Sequence, residues 1–479
     1  MKRSTNYYML LTCIFWLASA GCQKLVNVPE PTNTLTTTET FSTDANATSA
    51  IAAIYNDLTS GGSSHYIYYG NGLTTYLAGL SADEFTYSGS DPEIPQFQNN
   101  HLLSSNSESG GYFWLSAYFD IYMCNAAIEA LDSSNTLTPS TKNQLLGEAK
   151  FLRAYVYFYL VNLFGDVPLT TTSAFATNAL LKNTPAAQTY KQIISDLQDA
   201  QRLLASDYSY SGGERIRANK WAATALLARV YLYQGSLGNS TYYAKADSAA
   251  SAVIGNSGTY TIASDLNAVF LANSPEAIWQ LKPNASDNYA TWEGFQLIYA
   301  LDGGYPQYDL TSGLLNAFEP NDQRKVAWTY SVDYSGVTYY GPYKYKISPA
   351  ANTSSSNIPE YYMMLRLSEQ YLIRAEAGAQ DGKLPDAIAD LNVIRNRAGL
   401  PSLSSSLSQA QVLAAVMQER RIELFAEWGH RWFDLKRTGQ ATAVLSQEKG
   451  HTLSSNALLW PVPIGELTTD PNLKQNPGY

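Results

Sequence analysis

Asp83 and Glu84 stand side by side ahead of Phe85. Paired carboxylates are what glycoside hydrolysis requires, held about 5–10 Å apart across the cleaved bond. Adjacent residues usually point apart, so this pair is expected to cap, hydrogen-bond or touch ligand rather than to cleave. A second charged run, Glu419-Arg420-Arg421-Ile422-Glu423-Leu424, sits in a helical pattern where Leu413, Met417, Arg420, Leu424 and Trp428 share a stripe. Leu365, Glu369, Leu372, Glu376 and Ala379 share another. Arg420 or Arg431 is therefore expected to pair with Glu369 or Glu376 in a partly buried structural bridge. His65, His101, His430 and His451 are scattered without ligand spacing, so no metal is expected. The chain has no phosphate-binding glycine loop, His-Glu-x-x-His motif or nucleophile elbow. These absences point to a protein that is not an enzyme and needs no cofactor.

The other chemistry on offer is aromatic. The chain carries 36 Tyr, 9 Trp and 15 Phe. A flat π face with a polar rim matches the C–H face and hydroxyl edge of a sugar ring. Most of these rings are expected in the core, and position separates the two uses. Two long stretches without helical period, about 61–111 and 259–359, are rich in rings among Gly and Ser, and loops of that length are usually functional. Tyr87, Phe97, Tyr289, Trp292 and Tyr305 are the stacking candidates, with Asn99, Asn100 and Asp287 for sugar hydroxyls. A few rings and hydrogen bonds suit weak, reversible capture.

Helices must position these loops. Apolar spacings of three and four predict helices over Ala45 to Leu58, through Trp114, Tyr118, Ile121, Asn125 and Ile128, and over Leu145 to Phe164, stopped by Gly165-Asp166-Val167-Pro168. Tyr190 to Leu204, Asn219 to Tyr233, Tyr242 to Ile254, Leu365 to Ala379, Leu384 to Arg397 and Ser408 to Glu427 follow. Tyr371, Ala375, Ala387, Leu391 and Ile394 satisfy the offsets of a tetratricopeptide hairpin. The fold class is thus mostly α: tetratricopeptide-like hairpins stacked as a scaffold, with a loop-rich, irregular ligand-binding region. The net charge is −10 with no basic stripe, which argues against nucleic acid.

The N-terminus predicts where the protein works. Lys2 and Arg3 precede the apolar run Met9 to Ala18, and Ser19-Ala20-Gly21-Cys22 resembles a lipobox, with cleavage before Cys22 and acylation of its thiol. Residues 1–21 are read as a lipoprotein signal peptide, 22–40 as a lipidated tether and 41–479 as one domain. Cys13 leaves with the leader, and Cys124 is expected to be a small buried hydrophobe without a disulfide.

Glu148-Ala149-Lys150-Phe151-Leu152-Arg153-Ala154-Tyr155, running on to Leu163-Phe164-Gly165-Asp166-Val167-Pro168-Leu169, resembles the central signature of the SusD/RagB family. So do Ala222 to Tyr233, Leu365-Arg366-Leu367-Ser368-Glu369 and Asn392 to Leu400. Arg431-Trp432-Phe433-Asp434-Leu435 and the tail from Leu458-Leu459-Trp460-Pro461 to Asn476-Pro477-Gly478-Tyr479 add to the match. The resemblance implies a nutrient-binding lipoprotein, anchored in the outer membrane through its lipid and facing the exterior. It would capture an oligosaccharide or polysaccharide and pass it to a SusC-like, TonB-dependent transporter. Two alternatives stay open: a secreted helical glycoside hydrolase or lyase, and a structural transporter lid that binds no sugar.

Overall fold

The computed structural model describes residues 37–59, 72–285, 288–348, 350–351 and 353–479. Cys22, the leader and the tether up to residue 36 lie outside them, as does Asp287. Helix α1 spans Asp44–Asp57 and begins where the Thr43 side chain accepts the N–H of Asn46. Helix α2 (Thr74–Ser81) leads into strand β1 (Phe85–Tyr87). A π-helical stretch, Glu108–Leu115, then runs into α3 (Ser116–Ser133).

The scaffold follows: α4 (Pro139–Phe164), α5 (Ala186–Leu203), α6 (Lys220–Ser236) and α7 (Thr241–Ile254). Next come β2 (Ala277–Leu281), α8 (Trp292–Leu297), β3 (Tyr308–Leu310), β4 (Thr329–Tyr334), β5 (Val337–Pro342) and β6 (Tyr362–Arg366). The chain then returns to helix with α9 (Leu367–Gln380), α10 (Leu384–Arg397), α11 (Gln409–Glu423), α12 (His430–Arg437) and α13 (Ala441–Lys449).

The protein is mostly α, and the helices form a stacked array. Helix α4 lies between α3 and α5, α6 between α5 and α7, and α9 meets α7, α10 and α11. Helix α4 is buried on nearly every side from Gln144 to Phe164, which is why its sequence is apolar all round. Small residues bring helices close: Ala228 and Ala246 in the α6–α7 pair, and Ala375 and Ala387 in the α9–α10 pair, are fully or almost fully buried. Among the described residues, no helix is long and apolar enough to cross a membrane.

The two stretches read as irregular contain structure. Among the described residues, three two-stranded antiparallel sheets form, β1–β3, β2–β6 and β4–β5. Trp279, Tyr308, Trp328 and Tyr345, all in the ring-rich second stretch, are buried in the core. Leu365 and Arg366 belong to β6 instead of the helix that follows, because Arg366 pairs with Ala277 of β2. The helix expected to run to Glu427 stops at Glu423, where Ala426 and Trp428 take φ of 52° and 49°. Tertiary bonds hold that break: Trp428 Nε1 donates to Met363 O at 2.6 Å and Lys344 Nζ to Glu423 O at 2.8 Å.

The C-terminal tail caps α4. A helix leaves its last four carbonyls without intrahelical partners. Trp460 N donates to Leu163 O at 2.7 Å, and Asn476 Nδ2 donates to Phe164 O at 2.7 Å. The Trp460 ring lies edge-on to Phe97, Phe113 and Phe164. Gly165 makes the turn at φ 77°, ψ −119°, and a Cβ there would lie 2.9 Å from Leu459 Cδ1. Gly165→Ala is expected to cost about 1–3 kcal/mol from backbone strain plus this clash. Denaturant unfolding of the variant checks it; an unchanged midpoint would remove this account of the turn.

Candidate functional site

Exposed rings gather on one part of the chain. Phe295, Tyr299, Tyr305, Tyr334 and Tyr340 are each more than a third exposed. Their backbone supports explain the placement. Strands β4 and β5 form a hairpin closed by Ser335 and Gly336 at φ 51° and 82°, the left-handed pair that a tight two-residue turn needs. Tyr305 meets Tyr334 edge-on with ring centroids 5.2 Å apart. Tyr330 Oη donates to Leu297 O at 2.8 Å, which fastens the hairpin to α8.

Helix α8 begins at Thr291, whose side chain accepts the Gly294 N–H at 3.1 Å. It carries Trp292 and Phe295 in edge contact at 5.0 Å. Tyr299 folds over Gly304, where any Cβ would lie 2.2 Å from the ring. Phe295, Tyr299, Tyr305 and Tyr334 are thus partly exposed along one support, with Trp292 half-buried beside Phe295.

A polar pocket of about 500 Å³ adjoins the same strands, lined in part by Thr86, Asn99, Asp309, Ser312, Glu448 and His451. Asp309 links it to the hairpin by accepting the Tyr340 N–H at 2.5 Å. Burial raises the Asp309 pKa, against the lowering effect of that bond. At the pocket wall, Lys449 Nζ donates to Leu80 O, Ser81 O, Gln98 O and Asn100 Oδ1 at 2.6–2.9 Å. Desolvation pushes this lysine down to about 7.

The sequence candidates divide on this geometry. Trp292 and Tyr305 belong to the ring-bearing face, and Asn99 is exposed at the polar pocket. Tyr289 is half-buried at φ 56°. Tyr87 is half-buried against Tyr308, centroids 5.2 Å apart, and its hydroxyl accepts the Asp91 N–H at 3.1 Å. Phe97 is a correction: it is fully buried, edge-on to Trp460, and offers ligand nothing. Asn100 is a second, because its amide is spent on Ser81 O and Lys449. Phe295 and Tyr334 were missed. For Tyr334 a signal existed, since alternating residues around Ser335-Gly336 spell a hairpin.

The adjacent carboxylates are structural. Asp83 accepts from Arg431 Nε and Nη2 at 2.7 and 2.8 Å and from Arg421 Nη2 at 2.8 Å. Burial alone would raise its pKa, but the two guanidinium groups hold it below the usual range. Glu84 accepts only the Ala426 N–H, and burial, then the Asp83 charge, pushes it up to about 8. A raised folded-state pKa contributes stability that is complete below the unfolded value and is lost as pH rises through about 8. Glu84→Gln is therefore expected to gain thermal stability relative to wild type between pH 5 and pH 9. A stability difference independent of pH would sink this assignment.

The expected Arg420–Glu376 ion pair is present but long, and shorter bonds go to other partners. Arg420 Nε bonds Asp434 Oδ2 at 2.7 Å and reaches Glu376 only at 4.0 Å. Glu376 is held by Arg437 Nη2 at 2.7 Å, and Glu369 by Arg229 Nε at 2.6 Å. Among the described residues, no group of His, Cys, Asp or Glu is arranged to hold a metal.

A model of the SusD family matches residues 319–479. A second SusD-like model, described as starch-binding associating with outer membrane, matches residues 83–232. The chain is 25% identical to the SusD-like protein P38 of Formosa agariphila, with 100% of both chains covered. It is 24% identical to the starch-binding protein SusD of Bacteroides thetaiotaomicron over 84% of each. A solved SusD superfamily protein from Bacteroides vulgatus shares the fold with a TM-score of 0.78 at 22% identity, covering 92% of this chain and 100% of that one. Two models of one family match successive parts of the chain, a relative aligns with it end to end, and the fold is shared. By these findings the chain is similar to SusD-family proteins along most of its length.

Proposed function

We propose that this protein captures oligosaccharide on the ring-bearing face around Trp292, Tyr305 and Tyr334 and releases it unchanged to a TonB-dependent outer-membrane transporter. The observation that carries the reading is the exposure of several aromatic rings on one braced support. Burying that many rings would lower the free energy of the isolated chain, and a sugar's C–H faces offer the burial instead. The starch-binding name of one relative agrees with glycan cargo. Hydrolysis is disfavoured because Asp83 is committed to two arginines and the adjoining Glu84 is buried. The division into a leader over 1–21, a tether over 22–40 acylated at Cys22, and one domain over 41–479 completes the proposal. The anchored body would face the exterior.

The test uses soluble protein from about Thr38 onward against a panel of oligosaccharides, starch fragments included. Saturable binding with no new reducing ends supports the reading. Cleavage products would make the protein an enzyme, and co-purification with the transporter without any sugar bound would make it a lid.

A further inference from the structure

A cleft of about 880 Å³ lies away from the rings, between the C-terminal ends of α6 and α9, helix α11 and the turn after α12. Its lining is basic on an acidic chain: Arg421, Arg431, Lys436 and Arg437 face a single carboxylate, Glu376. The charges behind the wall do not cancel evenly. Arg420 and Arg437 are matched by Glu376 and Asp434. Among the described residues, Arg421 and Arg431 share only Asp83 as a bonded carboxylate, one negative charge for two positive ones. Burial keeps Arg421 below the ordinary arginine range even with Asp83 and Glu448 nearby.

A donor is left over as well. Arg421, on the cleft lining, has a buried Nε without a hydrogen-bond partner among the described residues. An unpartnered buried donor is costly, more so when charged, and an oxyanion bound within its reach removes that cost. Leu413, Ala414 and Met417, on the same helix as Arg421, add apolar lining, and the side chains of the exposed Gln380 and Gln440 also line the cleft. Guanidinium, apolar lining and amide donors together fit one ring bearing an acidic group.

We propose that this cleft is an oxyanion site that binds the carboxylate or sulfate of an acidic sugar, separate from the ring-bearing face. The glycan reading enters only in the choice of sugar; free sulfate tests the oxyanion site without it.

Calorimetry and thermal shift on the soluble domain compare sodium sulfate, an oligogalacturonate and a neutral oligosaccharide of equal length. Wild type is expected to bind the oligogalacturonate at least tenfold more tightly than the neutral oligomer, with affinity falling as salt rises. Arg421→Gln is expected to lose at least tenfold of that affinity. So is Ala414→Glu, an exposed position where a new carboxylate repels the ligand while the fold stays intact. Arg421-dependent binding of sulfate without the sugar keeps the oxyanion site and makes free anion its source. No preference for the acidic oligomer and no sulfate binding, or unchanged affinities in both variants, overturns the proposal. Binding of neutral glycan at Trp292 and Tyr305 is read separately, so either site can fail alone.

Discussion

Glu423→Gln is expected to lower folding stability by about 3–5 kcal/mol, the cost of leaving buried charges without their partner. Glu423 is fully buried. Its Oε1 accepts from Arg366 Nη1 at 2.6 Å and from Arg397 Nη2, and its Oε2 from Arg324 Nη1 at 3.1 Å. The neighbours extend the network, since Arg324 also bonds Asp322 and Glu419, Arg366 bonds Glu427, and Arg397 bonds Glu276. Strand β6, the short helix Gln323–Trp328, α10 and α11 therefore meet through one carboxylate.

Burial alone would raise the Glu423 pKa, but Arg397, Arg366, Arg324 and Lys344 hold it well below the usual range. A depressed carboxylate contributes stability that is present above its unfolded value of about 4.3 and lost as pH falls through the folded one. The deficit of the Gln variant is thus expected to be full at pH 7 and to shrink in acid. Glu319→Gln supplies the comparison. Glu319 also bonds Arg395, but its side chain is 38% exposed, and its loss is expected to cost less than about 1 kcal/mol. Urea unfolding at pH 7 and pH 4 measures both; a Glu423→Gln deficit no larger than that of Glu319→Gln rules out a stabilising role for the network.

The second large effect is on ligand. Trp292→Ala and Tyr305→Ala are each expected to weaken binding of the oligosaccharide found on the panel about tenfold, and together about a hundredfold, at about 1.4 kcal/mol per ring. Neither ring is deep in the core: Trp292 is half-buried beside Phe295 and Tyr305 is 39% exposed against Tyr334. Thermal stability is therefore expected to change little. Phe175→Ala is the control, because that ring is 83% exposed on a different part of the chain and its removal should leave affinity intact. Equal losses from Phe175→Ala and Trp292→Ala would show that any exposed ring serves, and the assigned face would lose its meaning.

Much of the scaffold was legible because a helix writes its buried face every three to four residues. The boundaries read for Leu384 to Arg397 match the observed helix, and those for Tyr242 to Ile254 differ by one residue. Of the stripe read from spacing, Trp114, Ile121, Asn125 and Ile128 are buried and Tyr118 is half-buried. The tail motif was readable as a pattern, but its task of satisfying the carbonyls at the end of α4 was visible only in three dimensions.

Partners of charges were less legible than their burial. Local spacing placed Arg420 in an apolar stripe, and it is fully buried, yet Asp434 and Arg437 decided who holds Arg420 and Glu376. Rings outside helices were the least legible. Phe97 and Tyr305 lie in similar stretches rich in Gly, Ser and Tyr, but one is sealed under Trp460 and the other stands open beside Tyr334. The sequence by itself determined which segments coil into helices and that rings abound between them. Only the tertiary structure decided which rings stay outside, because that depends on what a residue hundreds of positions away brings to cover them.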